Sequence, residues 1–332
     1  MTGAFSLNQP TTSNSRLVAD IGGTHARFAL NTGQDRFSQA QSLKCADYPS
    51  LGAAIRHYLD QAQAGPIRAG VLAIATPVGG DWIRMTNHHW QFSIEATRRA
   101  LGFETLLAVN DFTALAMALP YLQPHQLRPL GAQMPEGAGV KGLVGAGTGL
   151  GVSAVVPTSS GWVPLATECG HASFAPGDDI EVEILQRARR IFGHVSAERL
   201  VSGPGLSLLD SLLSGIRGAV AVYRNPSAVI EAAQNGDAIA LEAARVFTGL
   251  LGGIAGNLAL TFGSMGGMYI GGGVVGRLGS LFDELLFRER FEAKGRFAAY
   301  LSVIPTFLIV ADDFPALVGA ARLLDAHYAP RL

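Results

Sequence analysis

At 332 residues and 48% hydrophobic content, the chain has the length of about two domains and ample apolar material for buried cores, which excludes an intrinsically disordered protein. Only 15% of residues are charged, and 25 Lys and Arg nearly cancel 26 Asp and Glu, so the basic field that nucleic acid or an anionic membrane needs is missing. Two cysteines, Cys45 and Cys169, can neither form a disulfide framework nor fill a four-thiolate zinc site, which fits a reducing compartment.

The N-terminal MTGAFSLNQPTTSNS has no basic start and no apolar core, and reads as a short flexible leader and not as a secretory signal. Residues 16–21 (RLVADI) and 26–30 (ARFAL) are apolar runs joined through Gly22-Gly23-Thr24, a hairpin signal. LGAAIRHYLDQA at 51–62 has helical periodicity, AGVLAIA at 69–75 reads as a buried strand, and residues 76–93 form a polar, aromatic loop. A helix over 94–101 leads to the strand TLLAVN at 105–110, and Asp111 opens a helix that Pro120 ends. Next come the strand KGLVGA, the turn Gly147-Thr148-Gly149 and the strand GVSAVV at 151–156. Helices are expected over 178–192, 205–216, 226–234 and 237–259, followed by a strand at 302–310 and a helix at 315–328. Strands alternating with helices, with no linker and no short repeat, predict an α/β protein of two lobes meeting at a cleft. The uncharged run 246–276 is long enough to cross a bilayer. Eleven of its 31 residues are glycine, which favours a buried helix, a loop and a buried strand in succession.

Three Gly-rich turns follow apolar strands: Gly22-Gly23-Thr24, Gly145 to Gly151, and Gly271 to Gly276. Glycine lets backbone approach a ligand, so that several N–H groups can converge on phosphate oxygens. A single such turn is a tight hairpin; three, two of them carrying a Thr hydroxyl, point to a nucleotide site. No G-x-x-x-x-G-K-[ST] exists, so a P-loop is excluded. The third turn matches G-x-G-x-x-G at 271, 273 and 276, between the strand GMYI and an expected helix RLGSLFDELL, which keeps a nicotinamide-dependent oxidoreductase among the readings. Against it, the first two turns join strand to strand, and about 56 residues after the third are too few for the rest of a doubly wound half.

Asp111 stands where a strand stops and a helix starts, as an N-cap or as a carboxylate at the C-terminal edge of a sheet, where open α/β proteins bind ligands. Phosphoryl transfer to an alcohol needs such a carboxylate to accept the hydroxyl proton, and Asn110 beside it can hold a neighbouring hydroxyl. In TECGHASFAPGDD, Glu168 and His171 are either solvated loop residues or a pair for adjacent sugar hydroxyls; zinc would need a third ligand that the spacing does not offer. Glu198, in HVSAERLVSGPGL, is a weaker candidate on spacing alone. No G-x-S-x-G elbow supports nucleophilic hydrolysis.

Together LVADIGGTHARFAL, PVGGDWIRMTNHHW, AVNDFTALAMALP, GAGTGLGVS, ECGHASFAP, HVSAERLVSGPGL, GGMYIGGGVV and PALVGAARLL, in this order over about residues 17–325, resemble the bacterial glucokinase family, relatives of hexokinase and actin. The resemblance implies ATP- and Mg2+-dependent phosphorylation of glucose at its 6-hydroxyl, at the head of glycolysis, by a cytoplasmic homodimer. It implies a two-lobed hexokinase/actin-like (ribonuclease H-like) α/β fold. The small α/β domain would be 1–111 plus 311–332, the larger α+β domain 112–310, and the ligand cleft would lie between them. Carried over residue by residue, Ala19, Asp20, Ile21, Gly22, Gly23 and Thr24, with Gly147, Thr148 and Gly149, would serve the ATP phosphates, and Asp20 would lie near Mg2+ through water. Asp111 would be the general base, Asn110, Asp111, Glu168, His171 and Glu198 would bind the sugar, and Gly271, Gly272 and Gly273 would border adenosine. His25 stands where the family usually has Asn, and Ser173 where Asp is common. Cys169 alone follows Glu168, unlike the Cys-rich zinc motif of the related repressors and kinases. A sugar-sensing regulator of the same fold without catalysis is the alternative, against which the intact Asp111 and the lack of an added DNA-binding segment count.

Overall fold

The computed structural model describes residues 15–33, 36–131, 139–220, 222, 224–310 and 315–328; apart from Ser15, the expected leader lies outside them. The chain opens with β1 (Arg16–Ile21), β2 (His25–Asn31), β3 (Phe37–Lys44), α1 (Leu51–Gln61), β4 (Ala69–Ile74), β5 (Trp82–Arg84), β6 (Gln91–Ser93), α2 (Ile94–Leu101), β7 (Thr105–Asn110) and α3 (Asp111–Ala118). The middle of the chain carries β8 (Leu127–Pro129), β9 (Lys141–Ala146), β10 (Leu150–Thr158), β11 (Gly161–Ala166), α4 (Asp179–Phe192), α5 (Ala197–Leu200), α6 (Gly203–Ile216), α7 (Pro226–Gln234) and α8 (Ala238–Phe262). After these follow β12 (Met268–Gly271), α9 (Gly273–Leu278), α10 (Glu284–Glu292), α11 (Ala298–Ser302), β13 (Thr306–Ile309) and α12 (Pro315–Tyr328). The fold is mixed α/β and divides into two compact units, Met1–Ala118 with Phe314–Leu332, and Leu119–Asp313. The helix that Asp111 opens therefore groups with the first unit.

In the first unit the sheet runs β3-β2-β1-β4-β7, with β1, β4 and β7 parallel and β2 and β3 antiparallel. All six residues of β4 are buried, as its unbroken apolar run requires of a central strand covered on both faces. Alternation divides β1: Leu17, Ala19 and Ile21 join a core with α1 and Trp90, while Val18 faces Leu317, Ala320 and Leu324 of α12. Helix α12 also packs so tightly on α3 that a Cβ at Gly319 would lie 1.7 Å from the Ala114 carbonyl oxygen. Because β1, β4 and β7 end in register, Ile21 beside Ile74 and Ile74 beside Asn110, the residues that follow them leave the sheet at one edge.

The sheet of the second unit runs β11-β10-β9-β12-β13-β8, with a parallel centre of β9, β12 and β13 and antiparallel flanks. Helix α8 is long and apolar enough to cross a membrane, yet Phe247, Leu251, Ala255 and Ala259 are fully buried in the core of this unit. Its Gly252 and Gly256 admit α10 at close range, since a Cβ there would meet the Phe287 and Phe291 carbonyl oxygens at 2.4 and 2.3 Å. The run 246–276 is thus a core helix, a loop and a central strand, as read from its glycines. Two expectations shift. RLGSLFDELL is not one helix, because Gly279 at φ +54° ends α9 before α10 begins. The strand expected from 302 begins at Thr306, its first residues being the end of α11 and the turn after it.

Candidate active site

In the first unit, β1 carries Asp20 to the edge of the sheet and the chain turns back through Gly22-Gly23-Thr24 into β2. Ala19 and Ile21 are fully buried, so their side chains anchor the turn in the core. The Gly22 N–H closes the turn onto the His25 carbonyl at 3.0 Å, and the Cys45 N–H holds the Thr24 carbonyl at 2.9 Å. The Gly23 and Thr24 N–H groups make no hydrogen bond among the described residues. Two adjacent unclaimed amides are what an anion cradle requires. Asn87 backs the turn, its Cβ and carbonyl oxygen each 3.0 Å from the position of a Cβ on Gly23. Asp20 faces Arg27 in register, Oδ2 to Nη1 at 3.1 Å. Burial pushes the Asp20 carboxyl up from its ordinary value, against the pull of the guanidinium.

At the same edge, Asn110 and Asp111 divide the helix start between them. The Asn110 Oδ1 accepts the N–H groups of Phe112 (3.0 Å) and Thr113 (3.2 Å), and its Nδ2 donates to the Thr76 carbonyl at 3.3 Å. Asn110, not Asp111, is therefore the capping side chain of α3. Asp111 Oδ1 accepts the Phe112 N–H at 2.9 Å, and its side chain is half-buried at the mouth of the sheet. One strand separates β1 from β7, so the Gly22 turn and Asp111 emerge about 10 Å apart at strand spacings of about 4.8 Å.

In the second unit, Gly147-Thr148-Gly149 joins β9 to β10. The Gly147 N–H closes onto the Gly149 carbonyl, and the Gly147 carbonyl accepts the N–H of Gly203 at the start of α6, both at 2.8 Å. The Thr148 and Gly149 amides are unclaimed among the described residues, and Thr148 is exposed. Beside this turn, β12 ends with Gly271 paired to Gly145. Gly272, at φ +82°, lies so close to β9 that a Cβ would be 2.3 Å from the Ala146 carbonyl oxygen.

Glu168, His171 and Glu198 come together next to the Gly147 turn. Gly170 holds their loop on β10, where a Cβ would meet the Leu150 carbonyl oxygen at 2.0 Å. His171 sits between two carboxylates, Nε2 4.0 Å from Glu168 Oε2 and Nδ1 3.7 Å from Glu198 Oε1. Those separations exceed a direct hydrogen bond, so the three groups leave donors and acceptors for a polyhydroxy ligand. Glu198 Oε2 accepts the Leu150 N–H at 2.9 Å and so reaches the second turn itself.

Among the described residues no group of three His, Cys, Asp or Glu is arranged to hold a metal ion. Mg2+ in phosphoryl-transfer sites keeps several waters and takes one or two carboxylates plus substrate phosphates. Asp20 fits that demand, since Oδ2 faces Arg27 and Oδ1 accepts no hydrogen bond among the described residues. The dinucleotide reading of Gly271 to Gly276 fits poorly. Its third glycine should allow close packing of helix on strand, but Gly276 faces open space and α9 has only six residues. Arg27 and Asn87 were not singled out in the sequence, although the hairpin register pairs 20 with 27.

The glucokinase family model matches residues 17–327. The chain is 53% identical over 317 residues to the "Bifunctional protein glk" of Burkholderia thailandensis, covering 95% of this chain and 49% of that one. It thus spans about half the length of the bifunctional relatives it matches. It is 50% identical to a glucokinase of Chromobacterium violaceum, covering 95% of this chain and 91% of the relative. Among solved structures, a glucokinase from an Antarctic psychrotroph superposes with a TM-score of 0.86 at 34% identity, over 94% of this chain and 99% of that one. With the two Gly turns, the Asp111 carboxylate and the Glu-His-Glu group all lying within the matched span, the chain belongs to the glucokinase family.

Proposed function

We propose that this protein is a glucokinase, transferring the γ-phosphoryl group of ATP to the 6-hydroxyl of D-glucose. The observation that carries the reading is the shared edge of the first sheet, where an amide cradle after β1 and the Asp111 carboxylate after β7 emerge about 10 Å apart. In this reading Asp111 takes the proton of the 6-hydroxyl as its oxygen bonds to phosphorus and the bond to ADP breaks. Asn110 holds Asp111 at the helix start and offers its amide to a hydroxyl; Glu168, His171 and Glu198 bind the remaining hydroxyls. Gly22 to Thr24 and Gly147 to Gly149 cradle phosphates with backbone amides, and Gly271 to Gly273 border the adenosine. Ala19 and Ile21 act through the core, by fixing the first turn. Mg2+, when bound with the phosphates, supplies neutralisation of their charge, and Asp20 would orient one of its waters. The small and large domains of the family would correspond to 1–111 plus 311–332 and to 112–310. The same reading makes the protein a cytoplasmic homodimer that feeds glycolysis.

The test is Asp111→Asn, assayed by glucose 6-phosphate formed from glucose and ATP. We expect kcat to fall by at least ~100-fold, while glucose affinity stays within about tenfold. A near-normal kcat would remove Asp111 as base, and a wild-type protein that binds glucose but forms no glucose 6-phosphate would favour the sugar-sensing regulator.

A further inference from the structure

One side chain in the second unit serves two groups at once. The two oxygens of Glu198 point in different directions: Oε1 faces His171 Nδ1 at 3.7 Å, and Oε2 accepts the Leu150 N–H at 2.9 Å, the first amide after the Gly147-Thr148-Gly149 turn. The same Oε2 lies 2.4 Å from where a Cβ on Gly149 would stand. Glycine at 149 is therefore what lets the carboxylate reach the turn, while at Gly147 a Cβ would meet nothing within 4 Å. Glu198 is half-buried, and the four-residue helix carrying it is tied to the His171 loop, the Ala197 N–H donating to the Ala172 carbonyl at 3.0 Å.

We propose that Glu198, besides binding the sugar, couples sugar occupancy to the order of the Gly147-Thr148-Gly149 turn, so that glucose tightens nucleotide binding through this one carboxylate. The proposal rests on the reading of His171 and Glu198 as sugar ligands and of the turn as a phosphate cradle. A sugar hydroxyl donating to Oε1 holds the carboxylate in the orientation in which Oε2 takes the Leu150 N–H. That bond keeps the Thr148 and Gly149 amides presented to phosphate. By linkage the effect is reciprocal, and whatever disturbs the turn at Gly149 loosens the sugar.

Calorimetry separates the coupling from the underlying reading. Glucose is titrated without nucleotide, and adenylyl imidodiphosphate with and without glucose, with thermal unfolding as the control for folded fraction. Wild-type protein should bind the analogue at least ~5-fold more tightly with glucose present, the lower end of usual allosteric couplings, and Glu198→Ala should reduce that ratio to below about twofold. Gly149→Ala, a change in the phosphate turn, should weaken glucose binding by at least ~5-fold, whereas Gly147→Ala in the same turn should stay within about twofold. In a Glu198→Ala background, Gly149→Ala should add less than about twofold, because the collision it causes no longer has a partner. If Gly149→Ala binds glucose as Gly147→Ala does, while Glu198→Ala is weakened, the coupling is wrong and the sugar role stands. If Glu198→Ala and His171→Ala both bind glucose like the wild type, the sugar role itself falls and the coupling with it. Should Gly149→Ala fail to fold, the glucose-dependent ratio in Glu198→Ala decides alone.

Discussion

Two glycine turns of similar spelling, Gly22-Gly23-Thr24 and Gly147-Thr148-Gly149, each join antiparallel strands and each leave two amides unclaimed among the described residues, but they are held by different means. The first is fixed chiefly by backbone: the His25 carbonyl closes it, Cys45 ties its far side with its N–H on the Thr24 carbonyl and its Sγ on the Gly22 carbonyl at 3.4 Å, and Asn87 fills the space behind Gly23. The second is fixed on one side by backbone, from Gly203 and from the β12 end at Gly272, and on the other by the Glu198 carboxylate. A turn clamped by backbone keeps its shape whatever binds nearby. A turn held by an ionisable side chain with a second task changes with that task.

The sharpest break comes from the rigid side of the second turn. Gly272→Ala combines a left-handed φ of +82° with a Cβ that would stand 2.3 Å from the Ala146 carbonyl oxygen. We expect a stability loss of about 3 kcal/mol or more, read by denaturant unfolding. A loss below ~1 kcal/mol would mean that the β9 end yields easily, and the contrast between the two anchors would dissolve. Next in size, Gly23→Val should raise the MgATP dissociation constant by about 10- to 100-fold through overpacking against Asn87. Glucose binding without nucleotide should move less than about twofold, the opposite of Gly149→Ala. Equal losses for both ligands, per folded molecule, would show that the first turn is coupled to the sugar as well.

A smaller effect follows from charge. Burial raises the Asp20 carboxyl above 3.8, so its ionised form costs the folded state at neutral pH. Asp20→Asn should therefore raise the thermal midpoint at pH 7 while weakening MgATP. The gain should shrink as pH falls and vanish below 3.8, where the carboxyl is neutral in both folded and unfolded chains. A lower midpoint at pH 7 would mean that the Arg27 pairing outweighs burial.

The smallest effect concerns the loop behind the first turn. His88, whose Nδ1 accepts the Trp90 N–H at 3.3 Å, is held below 6.5 by burial and by neighbouring His89. The unfolded chain thus takes up a proton at 6.5 that the folded chain resists, and stability falls as pH drops below that value. His88→Gln should flatten that acid-side decline in a series of thermal midpoints; an unchanged slope would exclude His88 as its source.

Elements whose residues alternate or run apolar, such as β1, β4, β7 and α12, are legible directly because burial writes itself into the sequence. Strand β3, FSQAQSLK, is not, since none of its residues is fully buried and only Phe37 and Leu43, near its two ends, pack against the cores. The same holds for the two three-residue strands β5 and β6, which pair within the expected loop 76–93. At the site, sequence position made Asp111 a candidate cap, and only the hydrogen bonds assign that task to Asn110. The Asp20 to Arg27 pair follows from hairpin register and was open to inference. The contact of Glu198 with Leu150 joins residues 48 apart, with β10, β11 and α4 between them, and no local pattern announces it.

The seating of α12 against β1 and α3 also bears on how the chain acquires its shape. Arg16 and Asp325, 309 positions apart, form an ion pair. During synthesis β1 is thus exposed long before the helix that covers Val18 exists, whereas residues 119–313 form one uninterrupted stretch able to condense first. Closing so long a loop is thermodynamically mild, since each doubling of length adds only about 0.6 kcal/mol, but long-range contacts of this kind slow folding. The first turn, and any phosphate cradle it provides, would then be the last part of the molecule to become competent.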